Sequence, residues 1–167
     1  MKKILLLTVL PLLLLAQATN LVADTKIIPG NEVEFADADA DAEGWLKNFD
    51  EALTDAKEEN RNVLLYFTGS DWCPPCKMLK KDLFETSEFK TIAAEYTLLY
   101  IDIPRNRNLL SAEQMEHNSN LLHKINKKGV FPLLVVLNDK GAQLDQYSGY
   151  SMDGKVQAHI DFLNENK

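Results

Sequence analysis

The two cysteines of this 167-residue chain stand two residues apart, in Asp71-Trp72-Cys73-Pro74-Pro75-Cys76-Lys77-Met78. An apolar run, Val63-Leu64-Leu65-Tyr66-Phe67, and a short turn, Thr68-Gly69-Ser70, precede them. Leu79, Leu83 and Phe84 follow at helical spacing. A Cys-x-x-Cys pair between a strand and a helix start points to a dithiol that cycles with a disulfide. The reacting species is a thiolate, whereas a free cysteine, with a pKa of about 8.5, is mostly protonated near neutral pH. Unpaired N–H groups and the dipole at a helix start favour the anion. Cys73 is therefore the expected nucleophile, with the more exposed sulfur. Cys76, one turn in and more buried, is the expected resolving thiol. Pro75 falls in the first helical turn, where its missing N–H is not needed. Pro74 stiffens the loop and removes a donor that could have stabilised the thiolate, so the couple is not expected to be strongly oxidising.

Two other readings of the pair stay open beside this one, a structural disulfide and half of a zinc site. A closed zinc site takes four ligands, and the chain offers two cysteines and three scattered histidines. A structural bridge across so short a loop would restrain little of the unfolded chain. The redox reading stands first, and no metal or cofactor is expected.

The N-terminus reads as a secretory signal. Lys2 and Lys3 precede the apolar run Ile4–Leu15, and Ala16-Gln17-Ala18 has the form of a cleavage site. Leu21-Val22-Ala23 is a second candidate for cleavage. The run is shorter than the 18 or so apolar residues of a membrane span, so no stable membrane insertion is expected after cleavage. Residues 1–18 are the expected signal peptide, with cleavage after 23 as the alternative, and 19–43 an acidic linker. Asp37-x-Asp39-x-Asp41 resembles a calcium loop, but Ala42 stands where the sharp turn needs glycine and Asn48 where it needs glutamate. The net charge of −7 argues against a nucleic-acid partner. Loss of the two signal lysines takes it from −7 to −9. The 46% hydrophobic content suits one globular domain with a sizeable core.

Within that domain, Gly44–Asn60 is a helix candidate with Trp45, Phe49, Ala52, Leu53 and Ala56 on one stripe. The Val63–Phe67 strand is apolar throughout, as when both faces of a sheet are covered. A helix from the cysteine pair to about Tyr96, kinked near Thr86-Ser87, leads to a strand over Thr97–Ile103. Ser111 to Gln114 has capping-box form, and Asn118 and Ser119 interrupt the helix after it, suggesting two short pieces. Met115 and His117 raise the thought of copper but form no cluster and read as surface residues. Leu133–Leu137 and Ala142–Tyr147 make a hairpin around Asn138-Asp139-Lys140-Gly141, with Leu144 and Tyr147 inward. A last helix carries Val156, Ile160 and Leu163, capped by Ser151 or Asp153.

A strand–helix–strand crossover followed by a hairpin gives a mixed sheet with helices on both faces. With that order of elements the chain resembles the thioredoxin superfamily. The residues that carry the resemblance are Trp72-Cys73-Pro74-Pro75-Cys76-Lys77, Pro132 at the head of the hairpin and Gly149 after it. Trp45 and Thr68–Cys73 are most similar to exported bacterial members. The resemblance implies an α/β, thioredoxin-like fold over 44–167, with a central mixed β-sheet flanked by helices on both faces. It implies a protein-disulfide oxidoreductase of the periplasm, or otherwise exported, running as a reductase with Cys73 and Cys76 as catalytic residues. The alternatives are a disulfide oxidase or isomerase, and a non-catalytic peptide-binding module. Trp72, Pro74, Pro75, Phe131 and Pro132 would shape the substrate groove, with a cis bond before Pro132. Disulfide-bearing exported proteins and a membrane dithiol relay are the implied partners. Where many members carry a buried aspartate before the motif, this chain has Tyr66; Asp71 is a candidate substitute through water but reads first as a solvated loop residue. The loop Pro104–Leu110 looks like an insertion, and its Arg105 and Arg107 would bear on partner choice.

Overall fold

Residues alternate between the two faces of a strand, and in β1, Asn62–Thr68, Val63 to Thr68 are buried on either face. The computed structural model describes residues 44–167. The expected signal segment and acidic linker lie outside the described residues. β1 pairs in parallel with β2, Tyr96–Asp102, and antiparallel with β3, Leu133–Leu137, which pairs antiparallel with β4, Gln143–Ser148. The strand order is β2-β1-β3-β4. The mixed sheet and its order of elements agree with the sequence reading.

Period two divides the core into two clusters. Leu64, Tyr66, Leu134 and Val136 face the cysteine pair together with Leu79, Leu83, Phe89, Ile160 and Leu163. Val63, Leu65, Phe67, Val135 and Leu137 face the other way, against Phe49, Ala52, Ala56 and Leu121. Helices α1, Phe49–Glu59, and α4, Ala112–Lys124, thus cover one face. Helices α2, Pro74–Leu79, α3, Ser87–Ala93, and α5, Gln157–Glu165, cover the other.

Several local expectations are corrected. The first helix starts at Phe49, because Asn48 Oδ1 accepts the N–H groups of Asp50 and Glu51 and so caps it. Residues before it are extended: Leu46 bridges to Leu99 beside β2. Trp45 then points to the opposite face from α1 and stacks on Phe89, with centroids 6.1 Å apart. It packs on the cysteine-side cluster, in a different layer from the helical stripe on which its spacing placed it. The helix after the motif is broken: a π-helical turn, Lys80–Phe84, follows α2, and the Thr86 side chain caps α3. Leu144 is 53% exposed. The register slips between Val136↔Asp145 and Leu137↔Gln143, which leaves Leu144 as the extra residue of a bulge. Tyr147 does turn inward, against His159 and Phe162. The last helix has no side-chain cap, since Asp153 is engaged upstream with the Lys155 N–H.

Helix α4 is continuous. Asn118, read as an interruption, is 2% exposed, and its Nδ2 donates to the Asp102 carbonyl at 2.8 Å. His117 is not a surface residue either. Its Nε2 accepts the Phe49 N–H at 3.1 Å, which ties α4 to the start of α1. Ser111 caps α4 through the Gln114 N–H, whereas the Gln114 side chain turns to Lys47 and Asn118 instead of closing a capping box.

Asn118→Ala leaves the carbonyl at the end of β2 without its donor. It is expected to cost about 2 kcal/mol, read as a lower urea midpoint at unchanged slope. Leu144→Ser, at the exposed bulge, should change stability by less than about 0.5 kcal/mol. Equal effects would contradict the assignment of the two residues.

Candidate active site

The end of β1 and the start of β3 lie side by side, because the strands run antiparallel with Phe67 opposite Leu133. The turn after β1 and the Phe131-Pro132 step before β3 therefore share one end of the sheet. In the turn, the Gly69 carbonyl accepts the N–H groups of Trp72 and Cys73 at 3.2 and 2.9 Å. A methyl group on Gly69 would overlap the Trp72 indole, so the ring lies against bare backbone. The indole N–H donates to the Ile103 carbonyl at 2.7 Å. The ring meets Phe131 edge-on, with centroids 5.1 Å apart. Phe131–Pro132 is cis, as the resemblance implies. Gly149, at φ +83°, donates its N–H to the Pro132 carbonyl at 2.9 Å and fixes the far side of that step.

Cys73 and Cys76 are joined as a disulfide. Cys73 is the N-cap of α2, and its Sγ accepts the Cys76 N–H at 3.3 Å. Pro74 and Pro75 occupy the first two helical positions, where neither brings an N–H. Of the donors an N-cap side chain ordinarily meets, at the second and third helical positions, only that of Cys76 remains. The expected difference in exposure between the sulfurs is absent in the disulfide state: Cys73 is 2% exposed and Cys76 1%. Both cysteines belong to the buried cluster against which Trp72 and Phe131 pack.

Tyr66 sits beneath the pair, and its O–H donates to the Cys76 carbonyl at 3.2 Å. Burial pushes this phenol well above its ordinary range; a hydrogen bond with Thr68 offsets part of the rise and the Asp102 charge adds to it. Tyr66 therefore stays protonated and anchors backbone. Sequence reasoning missed Asp102, which is 1% exposed at the end of β2. Its carboxylate accepts the Ser70 N–H at 2.8 Å and the Ser70 hydroxyl at 2.6 Å, binding the turn before the cysteines to the neighbouring strand. The available signal was a carboxylate closing an apolar strand, since a buried charge must be hydrogen-bonded.

Asp71 is no inward substitute for a buried aspartate. Its carboxylate accepts the N–H groups of Arg105 and Asn106, at 3.0 and 2.9 Å. Burial alone would raise this carboxyl, but the N–H groups of Asn106, Arg105 and Asp71 itself, with the Arg105 charge, together outweigh it and hold it below the ordinary 3.8. The Arg105 guanidinium lies over the Trp72 ring, 4.6 Å from its centroid. The loop expected to be an insertion is thus fastened to the motif at Asp71 and at Trp72. Arg107 is exposed.

Comparison with known proteins agrees with this architecture. A family profile described as thioredoxin-like matches residues 44–139. The disulfide bond reductase DsbH of Chlamydia pneumoniae is 33% identical over 99 residues, which are 59% of this chain and 58% of that protein. The thioredoxin-related protein DsbJ of the same organism is 25% identical over 107 residues, 64% of this chain and 30% of that protein. The chain thus spans less than two thirds of the length of either. A solved DsbH oxidoreductase superposes with a TM-score of 0.62 at 28% identity, covering 73% of this chain and 82% of that one.

A carboxyl whose folded pKa is depressed holds its contacts above its unfolded pKa and loses them as pH falls through the folded one. The amide resonances of Arg105 and Asn106 should accordingly titrate together, with a midpoint below the 3.8 of an ordinary aspartate. A midpoint at or above that value would remove Asp71 as the fastening of the loop.

Proposed function

The chain belongs to the thioredoxin-like family, and from that premise we propose that it is a thiol–disulfide oxidoreductase of the bacterial cell envelope, running as a disulfide reductase. The observation that carries the reading is the Cys73–Cys76 disulfide at the first turn of α2, at the same end of the sheet as Phe131-Pro132. In the reduced protein, the Cys73 thiolate attacks one sulfur of a substrate disulfide. A mixed disulfide forms and the first substrate thiolate leaves. Cys76 then attacks the Cys73 sulfur, expels the second substrate thiolate and closes the disulfide seen here. Two electrons pass to the substrate in each cycle.

The reductive direction is supported by the donor count at Cys73. A thiolate facing one backbone N–H, beside two prolines, is only modestly stabilised. A strongly oxidising couple instead owes its potential to a stabilised reduced form. It is further supported by the reductase named among the relatives. Trp72 and Phe131 would form the walls of the substrate groove. Among the described residues, no partner engages the backbone N–H or C=O of Phe131, which leaves both groups for an extended substrate strand.

The compartment follows from the same reading. We assign residues 1–18 to an export signal, with cleavage after 23 as the alternative, 19–43 to a linker and 44–167 to the thioredoxin-like domain. No helix among the described residues is long and apolar enough to cross a membrane. A reductase in an oxidising compartment needs electrons delivered to it, and a membrane dithiol relay is the proposed donor, with disulfide-bearing exported proteins as substrates.

Trapping tests the two sulfur roles. Cys76→Ser should accumulate a mixed disulfide between Cys73 and a model peptide disulfide, whereas Cys73→Ser should form none and lose turnover. If Cys73→Ser keeps peptide affinity and the wild-type protein shows no turnover to lose, the domain is a binding module.

A further inference from the structure

The charge around the disulfide runs against that of the chain as a whole. The sequence carries −7 overall. Residues 71–77 and 102–108, which flank the approach to Trp72 and Cys73, carry Lys77, Arg105 and Arg107 against Asp71 and the buried Asp102, a local charge of 3 − 2 = +1. Both carboxylates are already engaged, Asp71 with the Arg105 and Asn106 N–H groups and Asp102 with Ser70. Lys77 Nζ is drawn to the Asp71 carbonyl at 3.4 Å, so a cation stands on either side of the 71–72 step.

Arg105 is the organised member of this rim. Its backbone is held by the Asp71 carboxylate and its guanidinium by the Trp72 ring, 4.6 Å from the centroid. Stacking occupies the flat face of a guanidinium and leaves its in-plane N–H groups for a carboxylate. A side chain already ordered by stacking loses less entropy on meeting its partner. Arg105 and Lys77 are thus the cations beside the cysteine pair.

We propose that this rim selects the substrate: an extended polypeptide disulfide with aspartate or glutamate beside its reactive cysteine, its carboxylate met by Arg105 over the Trp72 ring. The proposal rests on the reductase reading of the same site. The insertion loop then has a task, which is to hold a specificity residue over the tryptophan next to the nucleophile. Attraction of this kind acts on the encounter rate and is screened by salt.

The test uses the full chain, reduced beforehand, so that no electron donor is required. Two peptides, each closed by a disulfide, differ only in glutamate or glutamine on both sides of one cysteine. The protein dithiol becomes the disulfide as each peptide disulfide becomes two thiols, and the second-order rate is followed by thiol labelling. The glutamate peptide should react about tenfold faster at low ionic strength, and the ratio should fall toward one as the salt approaches 1 M. Arg105→Gln should reduce the ratio several-fold. Equal rates for the two peptides would overturn the selectivity while leaving the reductase reading in place. Reaction of neither peptide would overturn that reading, and the selectivity with it.

Discussion

The antiparallel register of β1 against β3, with Phe67 opposite Leu133, is the constraint on which the site rests. It brings two segments far apart in sequence to one end of the sheet, the Gly69–Cys76 turn and the Phe131-Pro132 step. Neither would make a site alone. The register is secured by burial on both faces, since a slip by one residue would exchange the two clusters around Tyr66 and Phe67. The Trp72–Phe131 ring contact and the hydrogen bond from Gly149 to Pro132 then fix what the register has placed together.

A second layer of polar contacts holds the turn itself. The buried Asp102 binds Ser70 by two hydrogen bonds, and Asn118 binds the Asp102 carbonyl from α4. His117, the next residue along α4, caps α1. The helices on the face away from the cysteines are thereby linked to the turn that carries them. This network consists of groups whose loss would leave a buried polar atom unpaired, which costs more than the bond itself contributes. Tyr66 completes it from below, holding the Cys76 carbonyl with a phenol that burial keeps protonated.

Much of this was legible in the sequence, and for identifiable reasons. The apolar run of β1, the cysteine pair at a helix start and the proline heading β3 each have a local physical signature, and each stands where the pattern puts it. What was not legible depended on contacts remote in sequence. Trp45 looked helical because its spacing from Phe49 fits a helical stripe, yet the Asn48 cap starts the helix after it. Asn118 looked like an interruption because a lone polar residue carries no sign of the carbonyl it will meet. Leu144 looked inward because a bulge cannot be read from alternation. The role of Asp71 depended on the loop after Pro104, whose return to the motif no local pattern announces. The near-equal burial of Cys73 and Cys76 in the disulfide depends on tertiary packing that their spacing does not announce.

Chemically, the site offers a buried disulfide, one backbone donor at the nucleophile and a cationic rim outside it. The prolines limit stabilisation of the thiolate from within, while Lys77 and Arg105 act from the surface, where solvent weakens them. That combination favours a dithiol that gives up its electrons readily. Equilibration of the Cys73/Cys76 pair against a thiol buffer measures this directly. The account predicts a reduction potential near the low end of the family's range, around −270 mV as in thioredoxin. A value near −120 mV, as in the periplasmic oxidant DsbA, would mean that the protein makes disulfides, and the absence of a reversible couple would end the enzymatic reading.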